Sequence, residues 1–207
     1  MSGRDVVFLV ADGAMKQMLE GFFTRENFHL RLGCAPFDFD PSQDILVAPA
    51  RDPGVYHMAR DLLSPYESLY ERAVVILDAA WEGSPGAEAI RTQITQSLTG
   101  VWAEFAVIVI EPELEAWIWQ GSSPHVATAF KCPRDYRDLL RESGHWPDGT
   151  LKPPDPKAAL THLRRRHRAD KSNAAFRRLA GLISVKGCTD PAFNQLQSAL
   201  QKWFSPR

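Results

Sequence analysis

Cysteine is scarce: the chain has three in 207 residues, at Cys34, Cys132 and Cys188. They lie far apart and form no C-x-x-C pair, so reduced thiols are expected, and neither a disulfide framework nor a structural zinc site organises the chain. No apolar run approaches the ~20 residues that cross a bilayer. The opening MSGRDVVFLVADG has only a short apolar stretch, broken by Asp12, and is not expected to be a secretory signal. A cytoplasmic protein without a membrane partner is the expectation. A Gly-rich phosphate loop, a zinc finger and a Ser-His-Asp arrangement are all missing, and His57, His125, His145, His162 and His167 are scattered without ligand spacing. There is no repeat and no low-complexity segment. What remains is an ordinary globular composition, 44% hydrophobic and 24% charged, long enough for one sizeable core or a domain with an appendage.

Charge is balanced overall but not along the chain. Residues 1–120 carry 18 acids against 8 bases, a net −10, and residues 121–207 carry 7 acids against 16 bases, a net +9. An acidic front and a basic back fit a metal-binding part beside a polyanion-binding part. They fit equally two halves that attract each other within one fold.

Apolar runs end on acids. DVVFLVA (5–11) reads as a buried strand and is followed by Asp12. Strand 73–78 closes VVILD on Asp78, and strand 104–110 runs FAVIVI into Glu111, Glu113 and Glu115. DILVA (44–48) is a further short strand, and FHLRLG alternates as a short strand would. Between the strands, AMKQMLEGFF carries a helical stripe of Met15, Met18, Leu19, Phe22 and Phe23. DPGVYHMARDLLSPYESLYERA is helical, interrupted near Pro65, with Asp52 as N-cap and Pro53 at the first helical position. Helices are expected from Pro85 to Leu98 and from Pro112 onward. After the Pro/Gly loop SGHWPDGTLKPPDPK come helices over 156–168, 172–183 and 191–204. Strands alternating with helices predict an α/β fold: a mostly parallel sheet flanked by helices. The boundaries read as an α/β domain over 1–120 and a helical, basic C-terminal extension packed on it over 121–207.

In such a sheet the functional crevice lies at the carboxyl ends of the strands. Acids gathered there repel one another, and a hard cation such as Mg²⁺ or Mn²⁺ relieves the repulsion. The metal-site reading takes Asp12, Asp78 and one of Glu111, Glu113 and Glu115, with Glu82 as a further ligand. The competing reading makes Asp12 a cap of the first helix, Glu111 an N-cap acceptor and Glu113 a first-turn acid. A capping role is weakest for Asp78, because no helix opens at once in DAAWEGSP.

The layout VADGAMKQML followed by VVILDAAW resembles the Toprim fold of topoisomerases, primases and overcoming-lysogenisation-defect nucleases. IEPELEAWIW resembles the Pro-Glu-x-Glu-x-Trp segment of small Toprim-like proteins of bacterial defence islands. The tail from LKPPDPKAALTHLRRR to DPAFNQLQSAL is similar to their C-terminal helices. The likeness covers roughly 5–119 and 150–204, and is closest to a component of a methylation-associated phage-defence system. It implies Mg²⁺-dependent phosphodiester chemistry on DNA or RNA, together with other defence proteins, through Asp12, Asp78, Glu111, Glu113 and Glu115, and nominates Lys157. Two departures stand: Asp12 where the family has Glu, and Ala80 where a second acid of an Asp-x-Asp is expected. The alternative is a catalytically silent module that binds partner subunits or nucleic acid.

The stretch HLRRRHRADKSNAAFRR concentrates Arg164, Arg165, Arg166, Arg168 and Lys171 against a single acid, Asp170. Guanidinium forks suit phosphates, so these five are the expected nucleic-acid contacts. A solvated helix end, where cations are favoured, is the other reading. Trp117 and Trp119 are expected in the core, and Trp81 as a wall of the site.

Overall fold

The computed structural model describes residues 3–119 and 123–206. Four strands form one sheet in the order β2-β1-β3-β4, and every neighbouring pair is parallel. They are β1 (Arg4–Val10), β2 (Ile45–Val47), β3 (Tyr70–Asp78) and β4 (Glu104–Ile110). The central strands are sealed on both faces: Val6 to Val10 and Ala73 to Val75 are fully buried. Double-sided burial is why these strands read as continuous apolar runs rather than alternating ones.

Helices make the crossovers. α1 (Gly13–Phe23) links β1 to β2, and α2 (Phe28–Leu32) is a single turn within the same connection. α3 (Arg51–Leu63) links β2 to β3, and α4 (Ala87–Leu98) links β3 to β4. Right-handed crossovers then place α1 on one face of the sheet and α3 with α4 on the other. After β4 come α5 (Glu115–Ile118), α6 (Ser123–Phe130), α7 (Tyr136–Glu142), α8 (Pro156–Arg166), α9 (Ala174–Leu182) and α10 (Pro191–Trp203). α9 lies against α1, and α10 covers β4 on that same face, where Phe193 meets Phe22 edge-on at 5.9 Å. A single buried cluster runs from Val6 to Leu200, so the C-terminal helices complete the core of the sheet. The expected boundary between 120 and 121 falls outside the described residues. No helix among the described residues is long and apolar enough to cross a membrane.

Three local expectations are corrected. FHLRL forms α2, not a strand. Asn27 and Gly33 both adopt left-handed backbone at its ends, which closes one turn and buries Leu32 completely; five residues are too few for periodicity to separate a strand from a turn. α3 starts one residue before Asp52, with left-handed Ala50 at its N-cap, so Asp52 sits in the first turn. Pro112 does not open a helix; the chain stays irregular until Glu115.

Two glycines test the contact between the halves. A Cβ on Gly21 of α1 would lie 2.2 Å from the carbonyl oxygen of Arg177 in α9, whereas one on Gly181 would meet nothing within 4 Å. Gly21→Ala forces two backbones apart, and overpacking of that kind costs about 1–3 kcal/mol. Gly181→Ala should gain up to ~1 kcal/mol of helix propensity. Denaturant titration of the two variants is expected to give midpoints shifted in opposite directions; equal gains would show that α1 and α9 are not in close contact.

Candidate metal and phosphate site

β1 and β3 are neighbours whose crossovers leave in opposite directions, which opens a crevice at their carboxyl ends. The pairing of Val10 with Ile76 sets Asp12 and Asp78 at equal height on this edge. Each strand delivers an acid here: Asp12 after β1, Asp52 after β2, Asp78 at the end of β3, and Glu113 and Glu115 after β4. Three converge. One carboxylate oxygen from each of Asp78, Glu113 and Glu115 lies within 4.8 Å of the other two. All three are withdrawn from solvent, at 8%, 6% and 9% exposure.

The β4 exit loop builds this cluster. The carbonyl of Pro112 accepts from the backbone N–H groups of Ala79 and Ala80, and the N–H of Leu114 donates to Asp78 Oδ1 at 2.8 Å. The segment 112–114 is thereby fastened across the end of β3, and Glu113 and Glu115 turn inward. Lys157, second residue of α8, closes the far side: its backbone N–H donates to Glu113 Oε1 at 3.0 Å and its ammonium to Oε2 at 2.9 Å. The Lys157 side chain is still 59% exposed, open to an incoming anion. No other residue among those described donates a hydrogen bond to the Glu115 carboxylate.

The electrostatics follow from this crowding. Burial, then the charges of Asp52 and Glu115 with a smaller part from Asp12, holds the Asp78 carboxyl well above the usual carboxylate range, against the pull of the Leu114 N–H. Glu115 is pushed up by burial and by Glu113, opposed by Lys157 and Arg164. Asp52 is raised mainly by burial, although its Oδ1 accepts the Asp78 N–H at 2.8 Å. Burial pulls the Lys157 ammonium down, but Glu113, Glu115 and Asp78 outweigh it and its pKa is raised. Negative charge is thus in excess at the centre, with one ammonium at its rim.

The other expected residues fall elsewhere. Asp12 caps α1, its Oδ1 accepting from the N–H groups of Ala14 and Met15 at 2.8 and 3.0 Å; it acts on Asp78 through charge and is not one of the three converging acids. Glu111 is exposed, because Ile110 before it points into the core and the pinned loop after it turns only Glu113 and Glu115 inward. Glu82 is exposed in the loop beyond Asp78 and also stands outside the cluster. Asp52 is the acid that sequence reasoning missed as a site residue: Asp-Pro at a helix start reads as a cap, and only the sheet order reveals that β2 ends beside β1.

Arg164 is not a free phosphate contact. Its guanidinium lies about 6 Å from the ring centres of Phe130 and Phe176 and donates to the carbonyl of Asp170 at 3.2 Å, and burial lowers its pKa. Arg165, Arg166, Arg168 and Lys171 are exposed and make no ion pair among the described residues. Trp117 and Trp119 are buried; their indole N–H groups donate to Asp190 Oδ1 and to the carbonyl of Pro156. They belong to the core and cannot stack on a base. Trp81 is half-buried against Tyr56 of α3, with ring centres 5.9 Å apart. Compared with protein-family models, with curated proteins and with solved structures, the chain finds no match.

Proposed function

We propose that this protein carries out Mg²⁺- or Mn²⁺-dependent phosphodiester chemistry on nucleic acid, in the cytoplasm, as one component of a bacterial antiviral system. The convergence of Asp78, Glu113 and Glu115 at the carboxyl edge, beside Lys157, is the observation that carries the chemistry. The antiviral setting and the partner proteins rest on the resemblance of IEPELEAWIW and the C-terminal helices to Toprim-like defence proteins.

The donor set suits a hard divalent ion. All the donors are carboxylate oxygens, ligands across one such ion sit about 4 Å apart, and the excess negative charge around Asp78 is what a cation relieves. Asp78 and Glu115 would hold the ion, since Glu113 is engaged by Lys157. When bound, such an ion polarises a phosphoryl oxygen or lowers the pKa of a bound water. The chain's own residues do the rest. Glu113 fixes the Lys157 ammonium at the mouth of the cluster, where it offers a compact charge to a phosphate. Asp12 and Asp52 deepen the negative field that draws the cation in. Ala80, where the resembled family has an acid, leaves Glu115 as the residue that completes the set.

A specific observation favours a second reading. The Glu113–Lys157 pair already neutralises one acid without any metal, as a catalytically silent binding module would require. Thermal melts separate the two. A ligand that binds only the folded state adds RT ln(1 + [L]/Kd), about 2.7 kcal/mol at a hundredfold excess over Kd. For a chain of this size that is a rise of about 5–10 °C. The rise should appear with millimolar Mn²⁺, vanish in Glu115→Gln, and accompany divalent-ion-dependent cleavage of DNA or RNA. No shift and no cleavage would leave the silent module as the reading.

A further inference from the structure

α8 borders two adjoining depressions that together form a trough. Ala80, Glu113, Lys157, Ala158 and Thr161 line an opening of about 520 Å³ beside the carboxylate cluster. Ala158 and Thr161 also line the next, of about 320 Å³, which continues to His145, His162, Arg165 and Arg166. The shared residues recur at helical spacing, so the trough follows one face of α8. From Lys157 to Arg165 it spans about 12 Å at 1.5 Å per residue, enough for successive phosphates of one strand.

Its far end is cationic. The His145 and His162 rings have centres 4.7 Å apart, and those of His162 and His167 are 5.6 Å apart. Arg165 and Arg166 are exposed beside them. Among the described residues no carboxylate pairs with any of these five groups. α7, packed on α8, carries Arg137, Asp138, Arg141 and Glu142. Arg141 engages both Asp138 and Asp148, Arg137 lies over the Trp146 ring, and Glu142 is exposed. Two guanidiniums without an ion pair among the described residues, beside three imidazoles, form a surface suited to an anion from outside.

We infer that the trough along α8 carries the phosphate backbone of a nucleic-acid strand, held by Arg165, Arg166 and the His145–His162–His167 cluster and led past Lys157 to the carboxylate cluster. The inference rests on the phosphodiester reading and adds to it where the strand lies and a dependence on pH. Burial, then His145 and His167, and Arg166, keep the His162 imidazole below its ordinary range. It therefore takes up its proton only in mild acid or beside an anion. Protonated His162 attracts the backbone, so its share of the affinity appears as pH falls through the imidazole range and is lost as pH rises above it.

The test is binding, without divalent ions. The full chain is titrated in EDTA with fluorescent oligo(dT), whose bases do not titrate between pH 5.5 and 8, at several salt concentrations. Each phosphate contact on a single strand contributes about 0.7 to the slope of log K against log[salt]. R165A/R166A should therefore lower the slope by about 1.4 while melting as the wild type does. H145Q/H162Q/H167Q should remove most of the tightening between pH 8 and 5.5. Burial also raises the carboxyls of Asp78 and Glu115 beside the trough, so D78N/E115Q is the control and should keep the histidine-dependent part. The inference is overturned if wild type does not bind oligo(dT), if R165A/R166A keeps the wild-type slope, or if the triple-Gln variant keeps the wild-type pH dependence. A protein that binds as described but never cleaves sinks the phosphodiester reading and leaves the track standing; one that cleaves while either variant binds like wild type sinks the track alone.

Discussion

Asp78→Asn should abolish divalent-ion-dependent cleavage while leaving the fold intact and, without metal, more stable. The amide oxygen can still accept the Leu114 N–H that Asp78 Oδ1 now takes at 2.8 Å, so the shape of the loop junction is kept. The negative charge is lost, and with it a ligand for the ion. Electrostatic stabilisation by a metal is worth several kcal/mol in a transition state, which at 1.36 kcal/mol per decade predicts a rate fall of about 10²–10⁴-fold. The stability effect has the opposite sign. An acid whose carboxyl titrates higher in the folded state binds its proton more tightly when folded. Its contribution is therefore most favourable at low pH and declines as pH rises from the ordinary carboxylate range, near ~4, through the folded titration. Asp78 is raised in this way, chiefly by burial and then by Asp52 and Glu115. Metal-free wild type should thus lose stability over that window, and Asp78→Asn should lose less, retaining only the slope from Asp52 and Glu115. Cleavage at the wild-type rate, or a variant less stable than wild type in metal-free buffer at pH 8, would remove Asp78 from the proposed role.

Phe176→Ala should cost about 3–5 kcal/mol, the range for removing a large buried aromatic. That is a sizeable share of the 5–15 kcal/mol that holds a domain together. Phe176 is 1% exposed and meets Phe130 edge-on, with ring centres 5.4 Å apart. The Arg164 guanidinium rests against both rings, so the truncation also loosens the cation that opposes the charge of Glu115. Because the buried cluster is continuous from β1 to α10, the melt should remain one transition, displaced downward by about 6–20 °C. Two transitions, with only the smaller displaced, would mean that the C-terminal helices melt as a separate appendage.

Much of the architecture was legible in the chain. Valine and isoleucine runs without alternation announced strands buried on both faces, and their spacing with amphipathic helices announced a parallel sheet. β4 was readable to its ends, and α8 and α10 to within a few residues because their Asp-Pro starts leave a local signature; α6 and α7 were not anticipated. The site was legible only in part. That Asp78, Glu113 and Glu115 stand at strand ends follows from their positions after apolar runs. That Glu111 turns away and Asp52 turns in does not, because one residue of phase in a loop decides it and the deciding hydrogen bonds join segments far apart in sequence.

The sequence by itself determined the layering, since hydrophobic period is a local property that each segment carries alone. It also determined which edge of the sheet would be acidic, since parallel strands end on one side. Only the tertiary structure decided which acids meet, which arginine is a packing element between two phenylalanines, and that His145 comes against His162 and His167 beside two free arginines. Those outcomes depend on the path of loops and the packing of α7, α8 and α9, where a shift of one residue changes which side chain faces the crevice.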